Sequence, residues 1–364
     1  MIRTIFLLLV VVLMGYRYYN PPFPEAHQFS DPIIAAVSTS AHRMVTAKRG
    51  EYYNFYMDSN LLFSTCDSHR FFETLVHPLF SALGESPSKI LLIGNPSGMI
   101  LKEILKYRSV AEVLVIGFDR GIQDFFTFEP HLPAMALTAL KDSRVKYEYP
   151  AEGMEQKESE VVFEHLRVLA ETRTGYFDAV VINVTDPVDR ETGNFYSERF
   201  YARIKTLLTD RGAMVTQAGS TFFTPITAGV IRHTAASVFG NSLILRANVP
   251  SIGEWGFVLA GNTEISAFSE TPKLRIDRIS NQFDAASTQS ISALRASSEA
   301  SSDVKSIINP LRFLNQAQLD SMSYVPKDRV PSETWVHKFG EDDLHREYLD
   351  EWSDYVRTEM VEED

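Results

Sequence analysis

From Tyr52 to Ser64 the run "YYNFYMDSNLLFS" alternates aromatic or apolar residues with polar ones at the two-residue period of a strand, and Ser59-Asn60 interrupts it as a turn. A small antiparallel sheet is predicted there. The stretch from Asp67 to Leu83 predicts a helical region, kinked or interrupted at Pro78. Beyond it strands and helices alternate. Lys89 to Ile93 reads as a buried strand, and Gly94-Asn95-Pro96-Ser97-Gly98 as the turn that opens a helix through Tyr107. Glu112 to Phe118, Arg144 to Tyr149 and Phe177 to Val184 supply three further strands. Between Ser197 and Leu208 the apolar residues Phe200, Tyr201, Ile204, Leu207 and Leu208 fall on one helical face. Ala213 to Gln217 gives a fifth strand, Ile226 to Val238 another helix, and Leu243 to Val249 with Gly256 to Ala260 a closing pair. This alternation implies a largely parallel sheet covered on both faces, with ligands received at the carboxyl ends of its strands.

The flanks follow other patterns. Ile5 to Met14 is an apolar run shorter than the roughly 20 residues that span a bilayer comfortably. Aromatic residues follow it and no small-x-small cleavage site does, so residues 1–20 read as an uncleaved membrane anchor, with a cleaved signal segment as the alternative. Arg3 and Arg17 flank the run on opposite sides, which leaves the side of the membrane open. Residues 21–50 read as a linker with one helical stretch, and 51–86 as the small β region and its helix. Residues 87–265 form the main domain. Residues 266–310 are rich in Ser and Ala and predict a mobile surface insertion, and 311–364 a helical tail ending in "HREYLDEWSDYV".

Composition narrows the chemistry. Of 364 residues, 45% are hydrophobic and 23% charged, enough for a sizeable core. The net charge of −12 and the lack of any basic run disfavour nucleic acid as a partner. The single cysteine, Cys66, excludes an internal disulfide and a cysteine metal cluster. His69 and His77 are not spaced as a helical metal pair and no third ligand accompanies them, so no metal site is expected. Asn183-Val184-Thr185 is a formal glycosylation sequon at a buried strand end, where coincidence accounts for it.

Three stretches in order carry a resemblance to a known family. "YMDSNLLFSTCDSHRFFETLVHP" is similar to a Leu-Asp-Gly-x-Leu-Gln-Phe-Ser run followed by Asp-Glu-x-x-Tyr-His-Glu and His-Pro. "ILLIGNPSGMILKEILKY" is similar to a strand, a Gly-Gly-Gly-Asp-Gly turn and an Arg-Glu helix. "FDAVVINVTDPVDRETGNFYSERFY" is similar to Phe-Asp-x-Ile-Ile-x-Asp-x-x-Asp-Pro. Together with "VPSIGEWGFVLA" and "LRFLNQAQL" they resemble the polyamine aminopropyltransferases (spermidine synthase-like), in particular their membrane-associated branch. The resemblance implies an α/β fold: a Rossmann-like, class I methyltransferase-type, mostly parallel seven-stranded sheet behind a small N-terminal antiparallel sheet. It also implies transfer of an aminopropyl group from decarboxylated S-adenosylmethionine to putrescine or a related amine. A sulfonium donor and a diamine acceptor call for carboxylates, which pair with cations and free one amine as nucleophile.

Carried over position by position, most of those groups are replaced. The reactive aspartate falls on Asn183, which cannot take a proton near neutral pH. The donor-binding positions fall on Leu62, Gly94, Ser97, Gly98 and Gly117, where Ser97 and Gly117 stand in place of acids, with Asp119 two residues further on, where a structural turn aspartate is the usual reading. The substrate-side Tyr-His pair falls on Phe71 and Phe72. Asp186 matches the second, substrate-facing aspartate, with Glu73, Gln217 and Trp255 remaining as substrate-binding candidates. Glu103, Tyr196 and Glu254 also remain, and capping or local pairing accounts for Glu73 and Glu103 better than a binding role does.

Three functional classes follow. The chain could be an aminopropyltransferase with a rebuilt site, in which Asp186 does the work of several acids. Alternatively it is a non-catalytic member that needs no cofactor and binds a partner, as a homo-oligomer or as a hetero-oligomer with an intact paralogue. In the third class the pocket has turned to a neutral or nucleoside-like ligand. The replaced acids favour the second.

Overall fold

The computed structural model describes residues 23, 25–83, 86–149, 158–262, 274–276, 279, 311–331 and 334–361, with side chains as far as 355. The anchor expectation for residues 1–20 lies outside them. No helix among the described residues is long and apolar enough to cross a membrane. The chain divides after Cys66 into two units.

The first unit is a four-stranded antiparallel sheet of β1 (Ile33–Ser38), β2 (Arg43–Arg49), β3 (Tyr52–Met57) and β4 (Asn60–Ser64), in that order. Residues 21–50 are therefore not a linker, since they supply half of this sheet. β2 hid from the two-residue period because Met44, Val45, Thr46 and Ala47 are all buried in succession, and its ends carry Arg43, Lys48 and Arg49. The β3–β4 hairpin turns at Asp58-Ser59, one residue before the predicted position. Both residues have positive φ, 50° and 68°, as a two-residue hairpin loop of matching twist requires. Asp58 fixes the loop by accepting from the Arg43 amide at 2.8 Å and pairing with His42 Nδ1 at 2.6 Å.

The second unit opens with α1 (Ser68–Leu83), which is continuous through Pro78 rather than interrupted there. There follow β5 (Lys89–Gly94), α2 (Met99–Ile104), β6 (Glu112–Ile116), α3 (Arg120–Phe128), α4 (Ala134–Ala139), β7 (Val145–Glu148), α5 (Glu158–Arg173) and β8 (Phe177–Asn183). After β8 come α6 (Arg190–Gly193), α7 (Glu198–Leu207), β9 (Leu208–Ser220), α8 (Pro225–Phe239), β10 (Ser242–Val249), β11 (Gly253–Gly261), α9 (Gln316–Met322) and α10 (Asp343–Val361). The seven strands lie in the order β10-β11-β9-β8-β5-β6-β7. The five from β9 to β7 are mutually parallel, and β11 and β10 close the sheet antiparallel. Ile90 to Ile93 and Ala179 to Ile182 are fully enclosed, because helices cover both faces and no side of these strands meets water.

Of residues 266–310, where the sequence predicts a mobile insertion, only 274–276 and 279 are described. Leu274 and Ile279 are buried, the Arg275 amide donates to Ser81 Oγ at 2.9 Å, and the Ile276 amide donates to Gln316 Oε1 at 3.0 Å. Residues 274–276 thus contact α1 and α9, which average composition conceals.

Candidate functional site at the central strand ends

β5 and β8 are neighbours at the middle of the sheet, and their carboxyl ends meet. Gly94 has φ +107°, and a Cβ there would lie 2.3 Å from the Asn183 carbonyl oxygen, so only glycine allows this approach. The Asn95 amide donates to that carbonyl at 3.0 Å, and Asn183 Nδ2 donates in return to the Asn95 carbonyl at 3.1 Å. The side chain of Asn183 is thus a donor to the turn, a role an ionised aspartate cannot fill. Residues 95–98 are buried. Asn95 Oδ1 and Ser97 Oγ are enclosed with no hydrogen-bond partner among the described residues. Gly98 starts α2 at φ +30°, and a Cβ there would stand 2.5 Å from the Ala136 carbonyl, so α4 is pressed onto the turn.

After β6, Gly117 faces a ring rather than open space. A Cβ at this position would come within 2.3 Å of Tyr149 Cε1, and the Tyr149 hydroxyl is held by Gln123 Oε1 at 2.6 Å. The space a longer side chain would need is filled by the tyrosine. Asp119 caps α3, its Oδ1 accepting from the Gly121 amide at 2.7 Å, and is committed to that structural role.

Beyond β8 lies Asp186. The residue is partly exposed, yet its Oδ1 is enclosed with no partner among the described residues, while Oδ2 accepts from the Tyr348 hydroxyl at 2.9 Å. Burial pushes its carboxyl up to about 6, against the Tyr348 hydrogen bond, which pulls it down. Tyr196 is buried beside it and donates to the Thr185 carbonyl at 2.9 Å. Gln217 on β9 donates through Nε2 to the Val184 carbonyl and accepts from Trp255 Nε1 at 3.1 Å. Gln217 and Trp255 therefore brace the end of β8 and each other. Glu254 is held by Arg246 and by Thr221 Oγ1, each at 2.7 Å.

Residues 69–269 match the family described as the spermine/spermidine synthase domain. The chain belongs to this family. A polyamine aminopropyltransferase of Leptospira interrogans is 27% identical over 95% of this chain and 59% of its own length. Another, from Mycobacterium tuberculosis, is 30% identical over 72% of this chain and 47% of its own length. The chain thus spans about half the length of the curated relatives it matches. The crystal structure of Thermotoga maritima spermidine synthase aligns with 82% of this chain and 87% of its own at TM-score 0.59 and 18% identity. A spermidine synthase in complex with the transition-state analogue AdoDATO aligns at TM-score 0.60 and 17% identity, over 82% of this chain and 88% of that one. These two likenesses are of fold alone, and they agree with the α/β, mostly parallel seven-stranded architecture.

The other family positions fall as follows. Phe71 and Phe72 are buried on α1, and the Phe71 ring meets Phe257 edge-on at 5.2 Å, which makes both core residues. Glu73 is buried and accepts from the amides of Arg312, Phe313 and Leu314 at 2.7, 3.0 and 3.0 Å. Its carboxylate anchors backbone. Glu103 instead holds side chains, receiving His77 Nε2 at 3.0 Å and Lys106, while His77 Nδ1 meets the Tyr107 hydroxyl at 2.8 Å. Leu62 is partly buried on β4, in the other unit. Asn95, Tyr149 and Tyr348 were not singled out from sequence. Tyr348 could have been, since Leu344, Tyr348, Glu351, Trp352 and Tyr355 make one helical stripe.

Proposed function

We propose that this chain is a non-catalytic member of the spermine/spermidine synthase family, using the aminopropyltransferase scaffold to bind a partner subunit. The partner would be a second copy or an intact paralogue. One observation carries the reading: Asn183, where the family's reactive aspartate belongs, spends its side chain as a hydrogen-bond donor to the facing turn. Two others agree with it. Tyr149 fills the place over Gly117 where a ribose-binding acid would have to reach, and Ser97 brings no charge to the turn. Without these carboxylates a sulfonium donor would enter an enclosed site with its charge unpaired, a cost on the order of several kcal/mol.

Asp186 supports a second reading. An enclosed carboxyl raised to about 6, with Oδ1 free, has the poise of a general base near neutral pH, as an aminopropyltransferase with a rebuilt site would need. Transfer from decarboxylated S-adenosylmethionine to putrescine, followed by mass spectrometry, separates the two. Product no greater than a no-protein control is expected, and spermidine above that control would establish the rebuilt enzyme.

A further inference from the structure

The C-terminal helix α10 lays one stripe of side chains over the end of β8 and the start of α8. Leu344 is fully buried, and four residues on Tyr348 donates its hydroxyl to Asp186 at 2.9 Å. One turn further, Glu351 accepts from the amides of Ile226 and Thr227 at 2.7 and 2.9 Å and from Thr227 Oγ1 at 2.7 Å. Its carboxylate thereby satisfies the free donors at the amino end of α8. Trp352 and Tyr355 pack on Phe223, with ring centroids 4.8 and 4.5 Å away. A Cβ at Gly219, φ +71°, would sit 3.8 Å from the Tyr348 ring and 3.9 Å from Asp186 Oδ1. These are ordinary contact distances, and it is the positive φ that calls for glycine there.

A phenol O–H aimed at a carboxylate offers what a primary ammonium would offer at the same place: one hydrogen-bond donor on an apolar stem. We propose that α10 is a latch over the site, with Tyr348 as a resident occupant that denies Asp186 to cationic amines. This goes beyond the proposed partner-binding role, since it assigns the site a class of ligand. Asp186 Oδ1 is an enclosed carboxylate oxygen with no partner among the described residues, so it is the group that would capture an ammonium once the helix moves. The latch has the form of a switch because its hold is divided. Glu351 and the aromatic cluster keep the helix docked, while among the described residues of α10 Tyr348 alone reaches the carboxylate.

The test uses the full chain and 1,4-diaminobutane as probe, by isothermal calorimetry, in four proteins: unmodified, Tyr348→Phe, Tyr348→Ala and the double variant Tyr348→Ala/Asp186→Asn. Tyr348→Phe keeps the ring and removes only the donor, so it guards against loss of fold in the alanine variant. The unmodified chain is expected to give no binding below millimolar concentration. Tyr348→Ala should bind at least tenfold more tightly than the unmodified chain, Tyr348→Phe should fall between them, and the double variant should lose the gain. Equal affinity of the unmodified and Tyr348 variants overturns the latch, as does a gain that survives Asp186→Asn or no gain in a variant whose circular dichroism is unchanged. Its failure is distinct from failure of the non-catalytic reading, which only donor binding or transfer by the unmodified chain would bring down.

Discussion

Replacing Asn183 with aspartate restores the family residue, but the surroundings predict a loss. The Asn183 amide donates to the Asn95 carbonyl at 3.1 Å, and its own carbonyl accepts from the Asn95 amide. A carboxylate keeps the second bond and forfeits the first, worth about 0.5–1.5 kcal/mol. It then sets a negative charge, partly withdrawn from water, against a carbonyl oxygen, which adds about 1–3 kcal/mol. The expected cost near pH 8 is therefore about 2–4 kcal/mol. The same repulsion raises the new carboxyl in the folded state above its unfolded value. Stability is then fully present below the unfolded value and is lost as pH rises through the folded one, because only the protonated acid can donate to Asn95. Urea unfolding of both proteins at pH 5 and pH 8 measures this. The gap should widen toward pH 8, and aminopropyl transfer should not appear. A variant as stable as the parent at pH 8, or one that transfers, would refute the donor geometry.

Three other expectations come from the same structure. Gly117→Asp should destabilise the fold by about 1–3 kcal/mol through collision with Tyr149, and Tyr149→Ala should recover part of that loss in a double-mutant cycle by urea unfolding. Asp186, with its carboxyl raised from 3.8 to about 6, contributes stability that is intact below about pH 4 and fades as pH passes 6, by an amount on the order of 2–3 kcal/mol. Asp186→Asn should flatten that slope between pH 4 and 7 in the same denaturation series. Glu73→Ala strips the acceptor from three backbone amides and should cost about 2–4 kcal/mol, with faster hydrogen exchange at Arg312, Phe313 and Leu314.

The parallel strands were legible because burial on both faces writes them as unbroken apolar runs, as in Ile90 to Ile93. β2 escaped for a related reason, its buried run being short and bordered by three charges. α3, α4 and α5 were not anticipated either. α5 mixes Glu158, Glu160, Glu164, Arg167 and Glu171 with Val162, Phe163 and Leu166, and its buried stripe is narrow. In the site, the replaced positions could be named from motif spacing, since Asn183, Ser97 and Gly117 are read directly. What fills the space they leave could not. Tyr149 reaches Gly117 across 32 positions and Tyr348 reaches Asp186 across 162, contacts that exist only once the sheet and the last helix are assembled. The bland roles of Glu73, Glu103 and Asp119 were open in the sequence, and their hydrogen bonds account for them.

The most direct test of the central claim is calorimetric titration of the unmodified chain with decarboxylated S-adenosylmethionine. The replacement of the donor's acids predicts no measurable heat of binding at any concentration up to the millimolar range, whereas a saturable isotherm with micromolar affinity would contradict the non-catalytic reading outright.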